Sequence, residues 1–499
     1  MSVLEGLRAQ SAQLHEASRN TDAAYDQQIR QNVASLREAV SAKYLGDLTR
    51  DESLLDHIDP TADSLLYLYI LRAQIQIFQE ESRQSLPAVL LPTGWLWSKI
   101  VSYLKSFNPV QSRYVGEEWR QVVELVAQIA QASSQPLLAA RVVRDAMLRL
   151  DPSCTVFTST HLVLVRLCLR ARAYSCALPV LDKYVCHFPS SQPGAGAVFV
   201  PILCASHDSS LSFITEKSGL SAKLTYKDHL QYYLYGGMIY MALKQWTKAI
   251  HFLQIVISMP TTASVSMIMV EAYKKWILAN LLEKGKLPST TNLMVTSHSR
   301  VYQSLAKPYV SLAQAFESGD LKRIEEEIEA ARDVWHADHN LGLVSQVHCA
   351  YTKHTVERVK KTFAALTVDE LLHQSPSMQG SNQVPESTIA SLIMSGAVSA
   401  TLVQPSDPTQ STMVRFTESR SSTRLVQERE VQLSLAREGQ ALRTLSKSLG
   451  DLDSQLGLSN EVIDSLKRSQ AWTAVGEPRP GTSEDAGVDM DEDLMGEDA

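Results

Sequence analysis

The chain of 499 residues is poor in the features that mark catalysts, metal sites and membrane proteins. It has no G-x-x-x-x-G-K-[ST] phosphate loop, no G-x-G-x-x-G turn and no G-x-S-x-G elbow. The Gly-Lys of "EKGKLPST" lacks the upstream glycine and falls at the end of a helical pattern, so a loop is expected there. The six cysteines are Cys154, Cys168, Cys176, Cys186, Cys204 and Cys349, and none forms a C-x-x-C pair. Reduced thiols in a protein of the nucleus and cytoplasm are the reading that follows. No window approaches the ~18 to 20 apolar residues of a membrane span. The opening "MSVLEGLRAQSAQLHEASRN" is charged and lacks the apolar centre of a signal peptide, so a soluble chain is expected. Basic residues are also short: 47 Lys and Arg face 54 Asp and Glu, a net charge of −7. That balance argues against broad, non-specific nucleic-acid binding, which needs side chains that neutralise phosphates.

The histidines add no chemistry. His336 and His339 in "WHADHN" stand three apart without a third ligand nearby, and read as a solvated helix end. His348, Cys349 and His354 in "QVHCAYTKH" do not make an i, i+4 pair, and the H-x-H with a later Asp used by zinc isopeptidases is absent. No catalytic residue, metal ligand or cofactor is assigned, and the chain does not read as an enzyme.

What is present is helix. Apolar residues make up 44% of the chain, and the length implies two to three domains. "EEWRQVVELVAQIAQAS" puts Trp119, Val122, Val123, Val126, Ile129 and Ala130 on one stripe, and similar patterns run to about residue 366. A loose repeat recurs: "ALPVLDKYVCHFP" (Ala177 to Pro189) and "AIHFLQIVISMP" (Ala249 to Pro260) each begin with Ala and close with Pro, as a helix-two signature would. "LLAARVVRDAMLRLDP", ending at Pro152, is a weaker copy. Stacked helical hairpins of this kind build a solenoid, which offers a surface rather than a pocket. The tyrosines of "YKDHLQYYLYGGMIY" read as interhelical packing beside Gly236-Gly237, where two helices can touch, and "IEEEIEA" as a solvated face.

After Leu366 the period changes. "LTVDELL" carries a capping box, Thr367 with Glu370, and "VPESTIASLIMSG" begins with Pro385 and stops at Gly396. Val398, Ala400 and Leu402 then alternate with their neighbours, "QPSDPTQ" turns the chain, and Val414 and Phe416 repeat the alternation. Helix, turn, helix, strand, strand is a winged helix. Between Val384 and Thr417 its single basic residue is Arg415, set against Glu386 and Asp407, so docking to protein through a strand edge fits better than DNA. Beyond it Leu435, Leu442, Leu449 and Leu456 recur every seven residues, with Leu445 and Leu452 between them and Glu438 breaking the pattern. The ending "EPRPGTSEDAGVDMDEDLMGEDA" is acidic and too poor in apolar residues for a core.

Helical repeats running into a winged helix resemble the PCI-domain family. Leu392-Ile393, Gly396, Val398, Ala400 and the closing "MVRF" from Met413 to Phe416 are similar to its I-x-x-G-x-I-x-A pattern and final V-x-F. Within that family, "YYLYGGMIYMALKQWTKAIHFLQIVISMP", "IMVEAYKKWILANLLEKGK", "KPYVSLAQAF", "NLGLVSQV" and "RVKKTFAALTVDELL" resemble the third-subunit branch of the COP-nine signalosome. The likeness covers roughly residues 145 to 417.

The resemblance implies a mostly α fold: a right-handed solenoid of TPR-like hairpins, a winged-helix subdomain with a small antiparallel sheet, and C-terminal bundle helices. The boundaries expected are 1–188 for N-terminal repeats, 189–225 for an insertion, 226–366 for PCI repeats, 367–418 for the winged helix, 419–470 for bundle helices and 471–499 for an acidic tail. It also implies a non-catalytic scaffold in a complex that removes Nedd8 from cullin-RING ubiquitin ligases through a different, MPN-type subunit. The partners implied are other PCI subunits, the first and eighth as neighbours, and MPN subunits reached through the helical bundle, with no membrane. Leu392, Val398, Ala400, Leu402, Met413, Val414 and Phe416 are the expected winged-helix core and interface, and Leu435, Leu442, Leu445, Leu449 and Leu452 the expected bundle seam. The competing readings are a PCI subunit of the proteasome lid or of a translation initiation factor, and a nucleic-acid-binding PCI adaptor.

Overall fold

The computed structural model describes residues 2–17, 21–41, 53–81, 87–189, 202–205, 207, 210–260, 266–288, 296–374, 385–404, 411–416 and 424–457, with 464 and 467. The chain divides into two units, residues 1–441 and 442–499, and of the second the described part is helical.

The first unit is an array of helices that pack mainly on their sequence neighbours, as a solenoid requires. The array runs from Ser2–Ala17 through Ser64–Glu81, Gly116–Ala132, Pro136–Leu150, Ser159–Arg170, Tyr226–Ala242, Trp246–Ser258 and Met267–Lys284 to Leu341–Lys360. Gly116–Ala132 buries the stripe its spacing predicts: Trp119, Val122, Val123, Val126, Ile129 and Ala130 are each at most 2% exposed. Among the described residues no helix is long and apolar enough to cross a membrane.

The turns between paired helices share one geometry. Ser134, Arg172, Lys244 and His339 all have a left-handed backbone, with φ between 51° and 57°. In each, the next N–H reaches back five residues: Gln135 to Ala130 O, Ala173 to Cys168 O, Gln245 to Tyr240 O and Asn340 to Trp335 O, at 2.9–3.0 Å. This is the Schellman closure, which satisfies orphan carbonyls at the helix end. It ends one helix and aims the next within three residues.

Two segments depart from the sequence expectation. Ala177–Pro189 was expected to be a full second helix, but only Leu178–Leu181 is helical. The following residues are extended: Cys186 N donates to Thr155 O, Phe157 N donates to His187 O, and Val156 and His187 form a parallel bridge. The run Tyr184-Val185-Cys186-His187 has the β-branched and aromatic character that suits this path. In the expected insertion, the Gly-rich start at 190–201 lies outside the described residues. Its second half is packed, with Phe213, Ile214 and Leu220 at most 5% exposed and Arg113 lying 4.1 Å over the Phe213 ring.

Past Lys360 the chain forms a three-stranded antiparallel sheet, β1 (Ala365–Thr367), β2 (Ala400–Val403) and β3 (Met413–Phe416), in the order β1-β3-β2. The helices Val368–Gln374 and Pro385–Met394 precede the hairpin. This is a winged helix with its own small core of Val356, Leu366, Val368, Leu371, Ile389, Val398, Ala400 and Val414.

Candidate subunit-docking site

Two local signals set the frame of the winged helix. Glu370 N donates to Thr367 Oγ1 at 3.3 Å while Thr367 N donates to a Glu370 carboxylate oxygen at 3.0 Å, the capping box the sequence spells. Those bonds to Thr367 hold the Glu370 carboxyl below its ordinary range. Pro385 opens its helix and Gly396, at φ +70°, closes it, with Ala397 N donating to Leu392 O at 2.9 Å. A side chain bearing Cβ is disfavoured at that φ, so glycine lets the chain reverse into β2. Thr412 Oγ1 then donates to Glu386 at 2.8 Å and fastens the start of β3 to that helix.

Register assigns the faces. Val414 stands opposite both Leu366 and Leu402, and Phe416 opposite Ala400. Those residues make the inner face: Val414 is fully buried, Ala400 is buried, and Leu402, Phe416, Leu392 and Ile393 pack half-buried against the same core. Val398 lies just before β2 and is buried with them. Met413 is one residue out of phase and faces outward in a row with Val403 and Thr367, while Arg415 shares the next outward row with Thr401 and Ala365. Met413 and Val403 are exposed, and Met394 at the helix end is 88% exposed. The edges are β1 and β2, since β3 is central. An edge strand carries a row of N–H and C=O groups ready to pair with another chain.

The leucine repeat lies on one helix, Arg424–Gly457, which at 1.5 Å per residue is about 51 Å long. Leu435, Leu442 and Leu449 are 65–66% exposed; Leu445 and Leu452 are intermediate. Glu438, which interrupts the pattern, is exposed.

The two runs that carried the finer resemblance have structural roles. Cβ atoms built on Gly236 and Gly237 would lie 2.7 Å from the Phe252 ring and 3.0 Å from Leu253, so these glycines let helices Tyr226–Ala242 and Trp246–Ser258 touch. Tyr240 of the same run donates to Asp182 at 2.8 Å. In "EAYKK", Lys275 pairs with Glu271 and donates to Asn340 Oδ1 at 3.0 Å. Asn340 Nδ2 bonds Tyr309 Oη, Tyr309 donates to Asp338, and Lys274 pairs with Asp338 at 2.7 Å. This network ties Met267–Lys284 to Lys307–Ser318 and to the turn at His339. Burial is the main force that raises the Tyr309 hydroxyl pKa, with Asp338 adding to it and Asn340 opposing.

The histidine pairs do not converge. His339 sits in the left-handed turn after His336; His348 faces Glu325 at 3.3 Å, and His354 bonds Leu282 O across 3.2 Å. Among the described residues no three His, Cys, Asp or Glu side chains come together as a metal site. Sequence reasoning missed β1, whose three residues are too short to show alternation, and the Asn340 hub, a lone polar residue in a turn.

The family model for "COP9 signalosome complex subunit 3, N-terminal helical repeats" matches residues 26–297. Among curated proteins the chain is similar to COP9 signalosome complex subunit 3 of Emericella nidulans, 44% identical over 487 residues and 97% of both chains. The protein of that name in Neurospora crassa is 26% identical over 394 residues, 77% of this chain and 76% of that one. The Drosophila melanogaster protein is 26% identical over 364 residues, 72% of this chain and 75% of the other.

Proposed function

This chain belongs to the family of COP9 signalosome complex subunit 3, and from that premise we propose that it is a non-catalytic scaffold of a signalosome. The edge of its small sheet takes the winged helix of a neighbouring PCI subunit, the first and the eighth being the neighbours. The helix Arg424–Gly457 enters a bundle shared with the other subunits, the MPN subunits included. The complex removes Nedd8 from cullin-RING ligases through a subunit other than this one, in the nucleus and the cytoplasm.

The observation that carries this reading is the leucine seam. Three leucines seven residues apart, each about two-thirds exposed, are costly to leave in water and match the a/d spacing of a helical bundle. The decisive experiment is affinity purification of Leu442→Asp/Leu449→Asp from native extract. The other signalosome subunits should be lost while the solenoid's helical signal is kept. Stoichiometric co-purification by the double variant would sink the bundle, and a co-eluting proteasome base would sink the choice of complex.

A further inference from the structure

A groove in the first unit lies outside these assembly elements. Its first half, about 380 Å³, runs between helices Ser64–Glu81 and Gly116–Ala132. Its second half, about 630 Å³, continues past Ser159–Arg170 to Tyr235 on Tyr226–Ala242. Glu124 and Gln128 line both halves, so the two adjoin along Gly116–Ala132; besides Val40 of Asp22–Ser41, the lining comes from four helices that neighbour one another in space.

The lining has a consistent chemistry. The floor is aliphatic, with Val122, Leu125, Val163 and Leu167. The walls carry five carboxamides, Gln76, Gln79, Gln121, Gln128 and Gln131, and three guanidinium groups, Arg72, Arg166 and Arg170. The single acidic lining residue is Glu124, whose carboxylate is held by Arg120 at 2.7 Å. With Glu118 facing Arg72 at 4.0 Å and Glu124 held by Arg120, the positive charge of the groove rests on Arg166 and Arg170 in its second half, in a chain whose net charge is −7. Two of its arginines are steadied by an amide on a neighbouring helix: Arg72 donates to Gln121 Oε1 and Arg166 to Gln231 Oε1, each at 2.5 Å, and Arg72 also lies 4.0 Å from the Glu118 carboxylate. The bond to Gln231 uses one of the five N–H donors of the Arg166 guanidinium, which keeps a fork for a carboxylate while restricting its rotamers.

We infer that this groove binds an extended, acidic peptide segment of a partner protein. A carboxamide presents one donor face and one acceptor, the complement of a peptide group, so Gln128 and Gln131, beside the two arginines, suit a chain that passes them, while Gln121 and Gln76 are engaged by Arg72, Glu117 and Glu80. Arg166 and Arg170 take acidic side chains on one side of that chain, and the aliphatic floor takes the apolar side chains that alternate with them. Four helices spaced by about 8–10 Å span roughly 30 Å, which an extended chain at about 3.3 Å per residue covers with roughly nine residues. A single-stranded nucleic acid fits less well. Its bases need a run of exposed aromatic platforms, and the lining offers two rings, Tyr235 and the buried Tyr69, and no lysine.

The test uses the full chain and fluorescein-labelled dodecapeptides in which Glu alternates with Ser, Leu or Phe, matched to peptides with Gln in place of Glu, and a dT12 oligonucleotide. In fluorescence anisotropy at moderate salt, at least one acidic peptide should bind ten-fold or more tighter than its Gln partner. Arg166→Glu/Arg170→Glu should remove that preference with an unchanged melting temperature. Gln128→Leu, which keeps every charge, should weaken binding several-fold and so separate backbone capture from bulk electrostatics. Equal affinity for acidic and neutral peptides, retention of the preference in the double variant, or tighter binding of the oligonucleotide than of every peptide would each overturn the inference.

Discussion

Replacing His161 with Gln should protect the protein against acid. His161 is 3% exposed and occupies the third helical position of Ser159–Arg170, where its Nδ1 accepts the Thr158 N–H at 3.1 Å and lies 2.8 Å from Thr158 Oγ1. Burial is the largest influence on its pKa and pushes it down to about 4, against smaller upward pulls from Asp151 and the Thr158 backbone. In the unfolded chain the same imidazole titrates near 6.5. Between those values the unfolded state binds a proton that the native state refuses, so unfolding becomes easier as the pH falls. The contribution is complete above pH 6.5 and is lost on the way down to about pH 4; at 1.36 kcal/mol per pH unit it amounts to about 3 kcal/mol. A proton on Nδ1 also removes the acceptor that caps the helix. Gln at the third position reaches back to the cap N–H in the same way and does not titrate. Urea unfolding of both proteins at pH 7 and pH 4.5 measures the difference, with hydrogen exchange over residues 159–170 to localise it. The variant should lose about 2–3 kcal/mol less than the natural chain across that interval. His229, a second histidine whose pKa burial lowers, is common to both proteins and cancels in the comparison. Parallel pH profiles for the two proteins would refute the reasoning.

Other outcomes follow from the packing. Gly236→Ala places Cβ 2.7 Å from a Phe252 ring that Tyr233 and Tyr240 hold at centroid distances of 5.2 and 5.0 Å. Overpacking should outweigh the gain in helix propensity and cost about 1–2 kcal/mol. Gly237→Ala meets the Leu253 side chain at 3.0 Å and the Ala249 carbonyl only at an ordinary 3.7 Å, so it should cost less than Gly236→Ala, and thermal melting of the two variants ranks them. Asn340→Ala should cost about 1–3 kcal/mol because Lys275 and Tyr309 both lose a partner at a site 1% exposed. A cycle with Lys275→Met, read by urea unfolding, should be less than additive. Val403→Glu, on the outward row of the sheet, should leave stability within about 0.5 kcal/mol while lowering recovery of a neighbouring subunit in pull-downs.

Much of this architecture is legible in the sequence where a local rule acts alone. The stripe through Trp119 and Ile129, the Thr367 capping box and the Gly396 stop each rest on contacts within a few residues, and each forms as spelled. The expectation for Ala177–Pro189 failed because its Ala and Pro punctuation matched a helix, while the bonds that decide its path come from Thr155 and Phe157, some thirty residues earlier in the chain. Strand β1 stayed hidden for a related reason, since Leu366 becomes a strand residue only when Val414 arrives opposite it. The polar network under "EAYKK" was visible as a family signature but not as a mechanism, because Asn340 and Asp338 complete it from a distant turn.

The left-handed turns at Ser134, Arg172, Lys244 and His339 leave the solenoid with an unspent margin. An L-residue in that conformation costs about 1–2 kcal/mol, and glycine relieves it at an entropic cost of roughly 0.5–1 kcal/mol. Each turn is thus held by the packing of its two helices against the preference of its own backbone. Because stability in such arrays adds repeat by repeat, the four positions behave as separate tuning screws. A glycine placed at one of them tightens that joint and leaves its neighbours as they were.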